Sequence, residues 1–159
     1  MDSIIFPKKE WRLTNEQEEL CNLSQDLGAK RFSKRAFKYD SEASFPVENY
    51  RDLAEKGLLG ICVPKKYGGF GADLKTYMLA AAEIGRYCGA TALTFNMHVS
   101  SCLWTSFLID DLKLEEEIKI EHERLRSAHY KRIIQDGKIY AQPFSEGGAA
   151  AAGFKAFGT

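Results

Sequence analysis

The sequence lacks a surplus of charge of either sign, since its 22 basic and 22 acidic residues give a formal net charge of zero. This balance does not indicate a partner that is a nucleic acid or an anionic membrane surface. The local basic run at residues 30–35 is typical of a solvated helix face. Hydrophobic residues make up 45% and charged residues 28% of the chain, which excludes a disordered composition and indicates a folded domain.

Cysteine is scarce, and the four cysteines are spread singly along the chain, at positions 21, 62, 88 and 102. No CxxC pair is present, so neither a zinc ribbon nor a disulfide framework is predicted. His122 and His129 lie seven residues apart without a third ligand nearby, and no metal site is predicted there. Free buried thiols and the absence of a signal-peptide pattern favour a cytoplasmic protein.

The sequence also lacks an uninterrupted apolar run of membrane-spanning length. Its most apolar window, at about residues 90–109, contains Asn96, His98 and several Ser and Thr residues. This window predicts a buried core helix rather than a membrane span.

What the sequence does contain is helical periodicity, punctuated by caps. Thr14 and Gln17 form a capping-box pattern, Asp73 is placed to cap a later helix, and Gly57 is placed to stop one. The fourth helix is apolar on nearly all sides and is expected at the covered centre of the bundle. The fifth is charge-rich, with a sparse inner face of Leu114, Ile118, Leu125, Ile133 and Ile134. The predicted helices lie at about residues 15–37, 46–56, 73–88, 90–109 and 112–135.

Two glycine-containing segments do not fit helices. Residues 58–71 combine proline with several glycines and predict an irregular connector. Their Gly69-Phe70-Gly71 lacks the third glycine of a dinucleotide-binding fingerprint and favours a structural turn. Residues 139–146 predict a strand after the turn signal Asp136-Gly137, and a lone strand needs neighbours to be stable. We therefore predict an all-α antiparallel bundle of about five to six helices over residues 1–137, followed at 138–159 by the incomplete beginning of a β domain.

By spacing alone the functional interpretation ends there, but three segments resemble the acyl-CoA dehydrogenase family. The resemblance covers roughly residues 14–159. It is carried by FPVENYRDLAEKGLLGICVPKKYGGFG (45–71), by EIGR (83–86) with TA (91–92) and NMH (96–98), and by GKIYAQPFSE (137–146). The chain would then be a fragment of a three-domain flavoprotein: this helical domain, a middle β domain and a C-terminal helical bundle.

The resemblance implies FAD as cofactor, an acyl-CoA thioester as substrate and α,β-desaturation as the reaction, as in fatty acid metabolism. In that family the catalytic base is a glutamate of the C-terminal bundle, so no catalytic residue is assigned within these 159 residues. The segment alone is expected to be inactive. Electron-transfer flavoprotein or another acceptor, and assembly as a homodimer or homotetramer, are expected through the family only.

The resemblance also implies site residues. Phe144 would supply a main-chain amide and Ser145 a hydroxyl to the flavin ring, with Gln142 two residues before Phe144 on the same face. Thr94 and Phe95 correspond to the part of the family that lines the acyl pocket, and His98 lies one turn further on. From the residues alone, Phe95 and His98 equally suit core packing. The chain departs from the family pattern at Gly147, where proline is usual, and at Ala151, where a serine contacts the ligand.

Two alternatives to the dehydrogenase remain open at this level. Some relatives of this architecture are flavin-dependent monooxygenases, in which a histidine of the helical domain can face the flavin, as His98 could. The third possibility is a non-catalytic helical interaction module, which would suit the charge-rich fifth helix.

Overall fold

A computed structural model of the chain describes residues 12–141, apart from the side chains of residues 106–109. The helical prediction is confirmed, and no strand occurs within residues 12–141. The predicted flavin-contact residues Gln142, Phe144 and Ser145 lie outside the described residues. The six α-helices are α1 (Asn15–Leu27), α2 (Ser33–Ser41), α3 (Val47–Glu55), α4 (Leu74–Gly85), α5 (Gly89–Asp110) and α6 (Glu116–Ile134).

The first two helices form one continuous rod, because a π-helical turn at Gly28–Phe32 joins α1 to α2. The rod ends at Ser41, four residues beyond the predicted end at 37. Its second half is held by Asp52 of α3, whose carboxylate accepts hydrogen bonds from Arg31 and Arg35. Burial raises the pKa of Asp52, but these two guanidinium groups outweigh burial and keep that pKa below its ordinary value.

The predicted caps are confirmed. The Thr14 hydroxyl accepts from the Gln17 amide at 3.3 Å, and the Thr14 amide donates to the Gln17 side chain at 3.0 Å. Asp73 accepts from the Thr76 amide at 2.8 Å at the start of α4. The Gln17 side-chain amide also donates to the Asp73 carboxylate, at 3.4 Å to the nearer oxygen. The starts of α1 and α4, two helices that pack on each other, are therefore tied together.

The connector between α3 and α4 is a folded part of the core. It begins at Gly57, whose φ of 71° ends α3, and contains 3-10 turns at Leu58–Gly60 and Lys65–Tyr67. Ile61, Cys62 and Val63 are fully buried. At Gly69 a Cβ atom would lie 2.2 Å from the Val63 carbonyl oxygen, so only glycine fits this fold of the backbone. The glycine run is a structural turn, as predicted.

Helix α6 differs from its prediction in start and in buried face. It begins at Glu116 rather than at 112, and the carboxylate of Asp110, the last residue of α5, accepts from Arg126 of α6 at 2.6 Å. The predicted inner-face residues Ile118 and Leu125 are exposed by 54% and 53%. The buried stripe is Arg126, Tyr130 and Ile133, at helical spacing. An arginine stem and a tyrosine ring supply the apolar contact that aliphatic residues were expected to make.

The expectation that the fourth predicted helix, now α5, is covered all round is wrong for the described part of the chain. Phe95, Val99 and Cys102 are fully buried, whereas Leu93, Met97 and Trp104 are exposed by 63%, 40% and 49%. These three lie at i, i+4 and i+11, which is one side of a helix. Leu74 and Met78 of α4, the helix that packs against α5, are also exposed. We call these five side chains the open apolar face.

All four cysteines are free and buried, as predicted. None of the described helices combines the length and the apolar character that crossing a bilayer requires.

Candidate functional site

His98 lies in the middle of α5 and is fully buried, with hydrogen bonds on both ring nitrogens. Its Nε2 lies 2.9 Å from the main-chain oxygen of Leu59, and its Nδ1 accepts from the main-chain amide of Tyr140 at 3.1 Å. A carbonyl oxygen can only accept and an amide can only donate. The ring must therefore be the neutral tautomer with the proton on Nε2.

The surroundings keep this histidine neutral. Burial lowers the pKa of His98 to about 4, against an ordinary value of 6.5; the bond to Leu59 opposes this shift and the nearby His129 adds to it. A charged imidazole would carry protons on both nitrogens and could no longer accept from Tyr140. The bond to Tyr140 thus depends on the neutral form, which burial maintains at pH 7.

The ring of Tyr140 lies between two histidines. It is stacked on His98, with ring centroids 6.4 Å apart and planes at 25°, and meets His129 edge-on at 4.3 Å and 69°. Burial, and secondarily the charge of Arg132, lowers the pKa of His129. We call His98, His129 and Tyr140, with the Leu59 carbonyl, the Tyr140 anchor.

A tight turn brings Tyr140 back to α5. Gly137 adopts a φ of 60° just after the end of α6, which is the left-handed conformation that glycine tolerates. The amide of Lys138 then donates to the carbonyl of Arg132 at 3.0 Å, which fixes the exit of the chain against α6. The Asp136-Gly137 turn was predicted from the sequence; the contact that it allows between Tyr140 and His98 was not.

The predicted substrate-contact residues sit on the same helix as His98 but differ in exposure. Phe95 is fully buried, with its ring 6.3 Å from that of Tyr77 in a tilted arrangement. Thr94 is half-buried, and its hydroxyl donates back to the carbonyl of Ala90 at 2.9 Å. The geometry of Phe95 and His98 is that of core side chains, and their contact with a substrate stays a prediction, as it does for Thr94.

Sequence reasoning missed the two residues that complete the Tyr140 anchor. Tyr140 was included in a strand pattern, and His129 was considered only as a metal ligand. Leu59 contributes through its carbonyl oxygen, a group that every residue has. The one signal available was the turn at Gly137, because a chain reversal after a long helix brings the following residues back toward the neighbouring helices.

Comparison with known proteins assigns this helical domain to a family. Residues 14–109 match the model of the family described as "Acyl-CoA dehydrogenase, N-terminal domain". The matched region includes Thr94, Phe95 and His98 and ends before α6.

Individual proteins that match the chain are consistent with this family. The chain is 36% identical over 90 residues to a probable acyl-CoA dehydrogenase of Bacillus subtilis, covering 57% of this chain and 24% of the relative. It is 31% identical over 108 residues to a short-chain-specific acyl-CoA dehydrogenase of Clostridium acetobutylicum, covering 68% of this chain and 28% of the relative. It is 43% identical over 82 residues to a cyclohex-1-ene-1-carbonyl-CoA dehydrogenase of Syntrophus aciditrophicus, covering 51% of this chain and 20% of the relative.

The matched regions thus span between 20% and 28% of the length of these curated relatives. The family match covers more than half of the chain, from the capping box at Thr14 through most of α5. The chain therefore belongs to the acyl-CoA dehydrogenase family, and its helical bundle corresponds to the N-terminal domain of that family.

Proposed function

We propose that this chain is the N-terminal part of an FAD-dependent, acyl-CoA dehydrogenase-like oxidoreductase that introduces an α,β double bond into an acyl-CoA thioester. One observation carries the proposal beyond family membership. The Tyr140 amide is bonded to His98, so the chain leading to Gln142, Phe144 and Ser145 starts beside the helix that bears Thr94 and Phe95. This contact supports the proposal, because Tyr140 is two residues before Gln142, the first predicted flavin-contact residue.

The segment after Tyr140 has the donors that a flavin ring requires. The main-chain amide of Phe144 and the hydroxyl of Ser145 would hold the ring, with Gln142, two residues before Phe144, as the third predicted contact. When bound, FAD supplies the site that accepts a hydride from the β carbon of the thioester. Fixed donors at the ring edge stabilise the charge that develops there, and they are effective because they need no reorganisation during the reaction.

The open apolar face suits the role proposed for the helical domain. Leu93, Met97 and Trp104 share one side of α5 and are exposed, and so are Leu74 and Met78 of α4. Several exposed large apolar side chains on a folded domain suit a binding surface. We propose that it contacts the acyl chain together with a C-terminal helical bundle of the whole protein, and that it excludes water from the reacting carbons.

The alternative of a monooxygenase relied on His98 turning a polar atom toward the flavin. In this structure both ring nitrogens are bonded to main-chain groups and the side chain is fully buried. This arrangement supports the dehydrogenase over the monooxygenase. The interaction-module alternative is disfavoured by the names of the relatives, each of which is an enzyme.

Anaerobic titration of the full-length protein with acyl-CoA thioesters tests the proposal. We expect purified protein to contain bound flavin and its visible absorbance to be bleached by a saturated acyl-CoA without oxygen. A saturated short-chain thioester is the first substrate to test, because one relative is named for short-chain substrates. Bleaching only with another reductant, followed by oxygen-dependent product formation, would instead favour the monooxygenase.

Partners and location are part of the same proposal. Electron-transfer flavoprotein or another acceptor would reoxidise the flavin, and the protein would act in the cytoplasm as a homodimer or homotetramer. Size-exclusion chromatography with light scattering measures the assembly directly.

A further inference from the structure

We infer that helix α6 pairs antiparallel with α6 of a second copy of this chain, through a side that the described fold leaves exposed. The sequence predicts Ile118 and Leu125 on the inner face, yet these two side chains are exposed by 54% and 53%. The bundle instead buries Arg126, Tyr130 and Ile133 of the same helix. The pairing would supply one surface of the proposed assembly, and it does not depend on flavin chemistry.

The exposed aliphatic residues of α6 belong to a regular stripe. Ile118, Glu121, Leu125 and Ala128 are exposed and follow one another at intervals of three, four and three residues. Residues at these intervals share one side of an α-helix. The same intervals let the side chains of two helices interlock along a shared seam. We call these four residues the α6 stripe; Glu121 is its charged member and forms an ion pair with Arg124.

The charge of α6 changes sign halfway along the helix. Residues 115–123 contain five glutamates and one lysine, whereas residues 124–132 contain three arginines and one lysine. A second α6 that runs in the opposite direction brings the acidic half of each helix beside the basic half of the other. A parallel copy would bring like charges together, and the two helix dipoles would also repel each other. Charge complementarity therefore selects a second copy of the same helix, in antiparallel orientation.

One register of the antiparallel pair matches the α6 stripe. It places Glu121 of one copy opposite Leu125 of the second copy, and Ile118 opposite Ala128. The same contacts recur on the other side of a two-fold axis, because each copy presents the same surface to the other. Such an interface is closed, so it ends at two copies and does not continue into a filament.

The same register pairs charges that the described fold does not use. It brings Glu117 of one copy beside Lys131 of the second copy, at both ends of the pair. Both side chains are exposed, and neither forms an ion pair within the described part of the chain. Arg124 comes to lie beside Arg124 of the second copy, and each donates to its own Glu121 at 2.8 and 2.7 Å. The like charges at the axis are thus offset within each helix.

Cysteine cross-linking of the full-length protein tests both the contact and its direction. A short bismaleimide should join two copies of Arg124→Cys, because position 124 lies beside the two-fold axis. Glu117→Cys alone should not cross-link, since the same position of the second copy would lie about 21 Å away along the helix. A mixture of Glu117→Cys and Lys131→Cys proteins, one of them tagged, should give a mixed dimer. The wild-type chain, whose four cysteines are buried, and the exposed Lys34→Cys on α2 are the controls.

Charge reversal tests the complementarity in the same protein. In the Arg124→Cys background, Glu117→Lys should slow cross-linking about tenfold, because two attractive pairs become repulsive. Adding Lys131→Glu to the same chain should restore the rate, since opposite charges again face each other. A rate that Glu117→Lys leaves unchanged would overturn the pairing of these charges and with it the register.

Leu125→Glu tests the apolar part of the α6 stripe, with Leu112→Glu as a matched control. Both leucines are exposed by 53%, but Leu112 lies outside the stripe. Leu125→Glu should slow the cross-linking of Arg124→Cys about tenfold, whereas Leu112→Glu should leave the rate unchanged. Thermal midpoints near that of the parent protein confirm that both variants are folded, and equal effects of the two substitutions would refute a contact at the stripe.

Three cross-linking results would overturn the inference. Arg124→Cys that cross-links no faster than Lys34→Cys would mean that another segment, another partner or solvent covers the α6 stripe. Glu117→Cys that cross-links with itself would mean that the helices do not run antiparallel, and absence of the mixed dimer would exclude the register. Bleaching of the flavin by an acyl-CoA, measured on the same protein, reports separately on the proposed function.

Discussion

Acidification should destabilise this domain through His98 before most of its carboxylates are protonated. The pKa of His98 is lowered to about 4 in the folded chain, from an ordinary value of 6.5. Between these pH values the unfolded chain binds the proton and the folded chain does not, so stability falls as pH falls. The full difference is on the order of 3 kcal/mol, since each pH unit is worth about 1.36 kcal/mol. Between pH 7 and pH 5 the expected loss is about 2 kcal/mol.

The assay is urea unfolding of the wild-type chain and of His98→Asn at pH 7, 6 and 5. Other groups also respond to acid: Asp52, Glu48 and Asp73 have a lowered pKa and lose their stabilising effect at still lower pH. His129 has a lowered pKa as well and is present in both proteins. The difference between the two pH profiles therefore isolates His98. Parallel profiles from pH 7 to pH 5 would refute the assignment of a buried neutral histidine.

Three further outcomes follow from the described geometry. Gly69→Ala should destabilise the fold by about 3 kcal/mol, because its Cβ would meet the Val63 carbonyl. Gly89→Ala, where nothing lies within 4 Å, should be neutral or stabilise the fold by up to about 1 kcal/mol. Chemical denaturation compares the unfolding free energies of the two variants. Asp73→Ala should lose about 1 kcal/mol with the Thr76 cap bond, and a retained unfolding midpoint would contradict this. The 159-residue chain alone should hold FAD weakly and lack dehydrogenase activity; stoichiometric flavin absorbance after purification would contradict this expectation.

The features that the sequence predicted correctly depend on local chemistry. Thr14 with Gln17 and Asp73 with Thr76 are contacts within four residues, so their patterns can be read directly. The stop at Gly57 likewise follows from a conformation that favours glycine.

The features that the sequence did not predict depend on contacts between distant residues. The rod α1–α2 extends to Ser41, and Tyr39, beyond the predicted end at 37, donates to Glu48 of another helix at 2.6 Å. Helix α6 buries Arg126 and Tyr130 instead of Ile118 and Leu125. The spacing of aliphatic residues cannot predict that an arginine and a tyrosine form the buried face.

The candidate site illustrates the same division. Burial of His98 was one of two interpretations of its place on an apolar helix, and the sequence could not choose between them. Its partners are the carbonyl of Leu59 and the amide of Tyr140, 39 and 42 residues away. Main-chain groups are alike in every residue, so no residue type marks them in advance.

A crystal structure of the full-length protein with FAD bound tests the central claim most directly. We predict that the Tyr140 amide remains bonded to His98 Nδ1, near the 3.1 Å observed here, while the Phe144 amide and the Ser145 hydroxyl contact the flavin ring. A flavin bound away from residues 142–145, or a Tyr140 amide bonded to a group other than His98, would contradict the account.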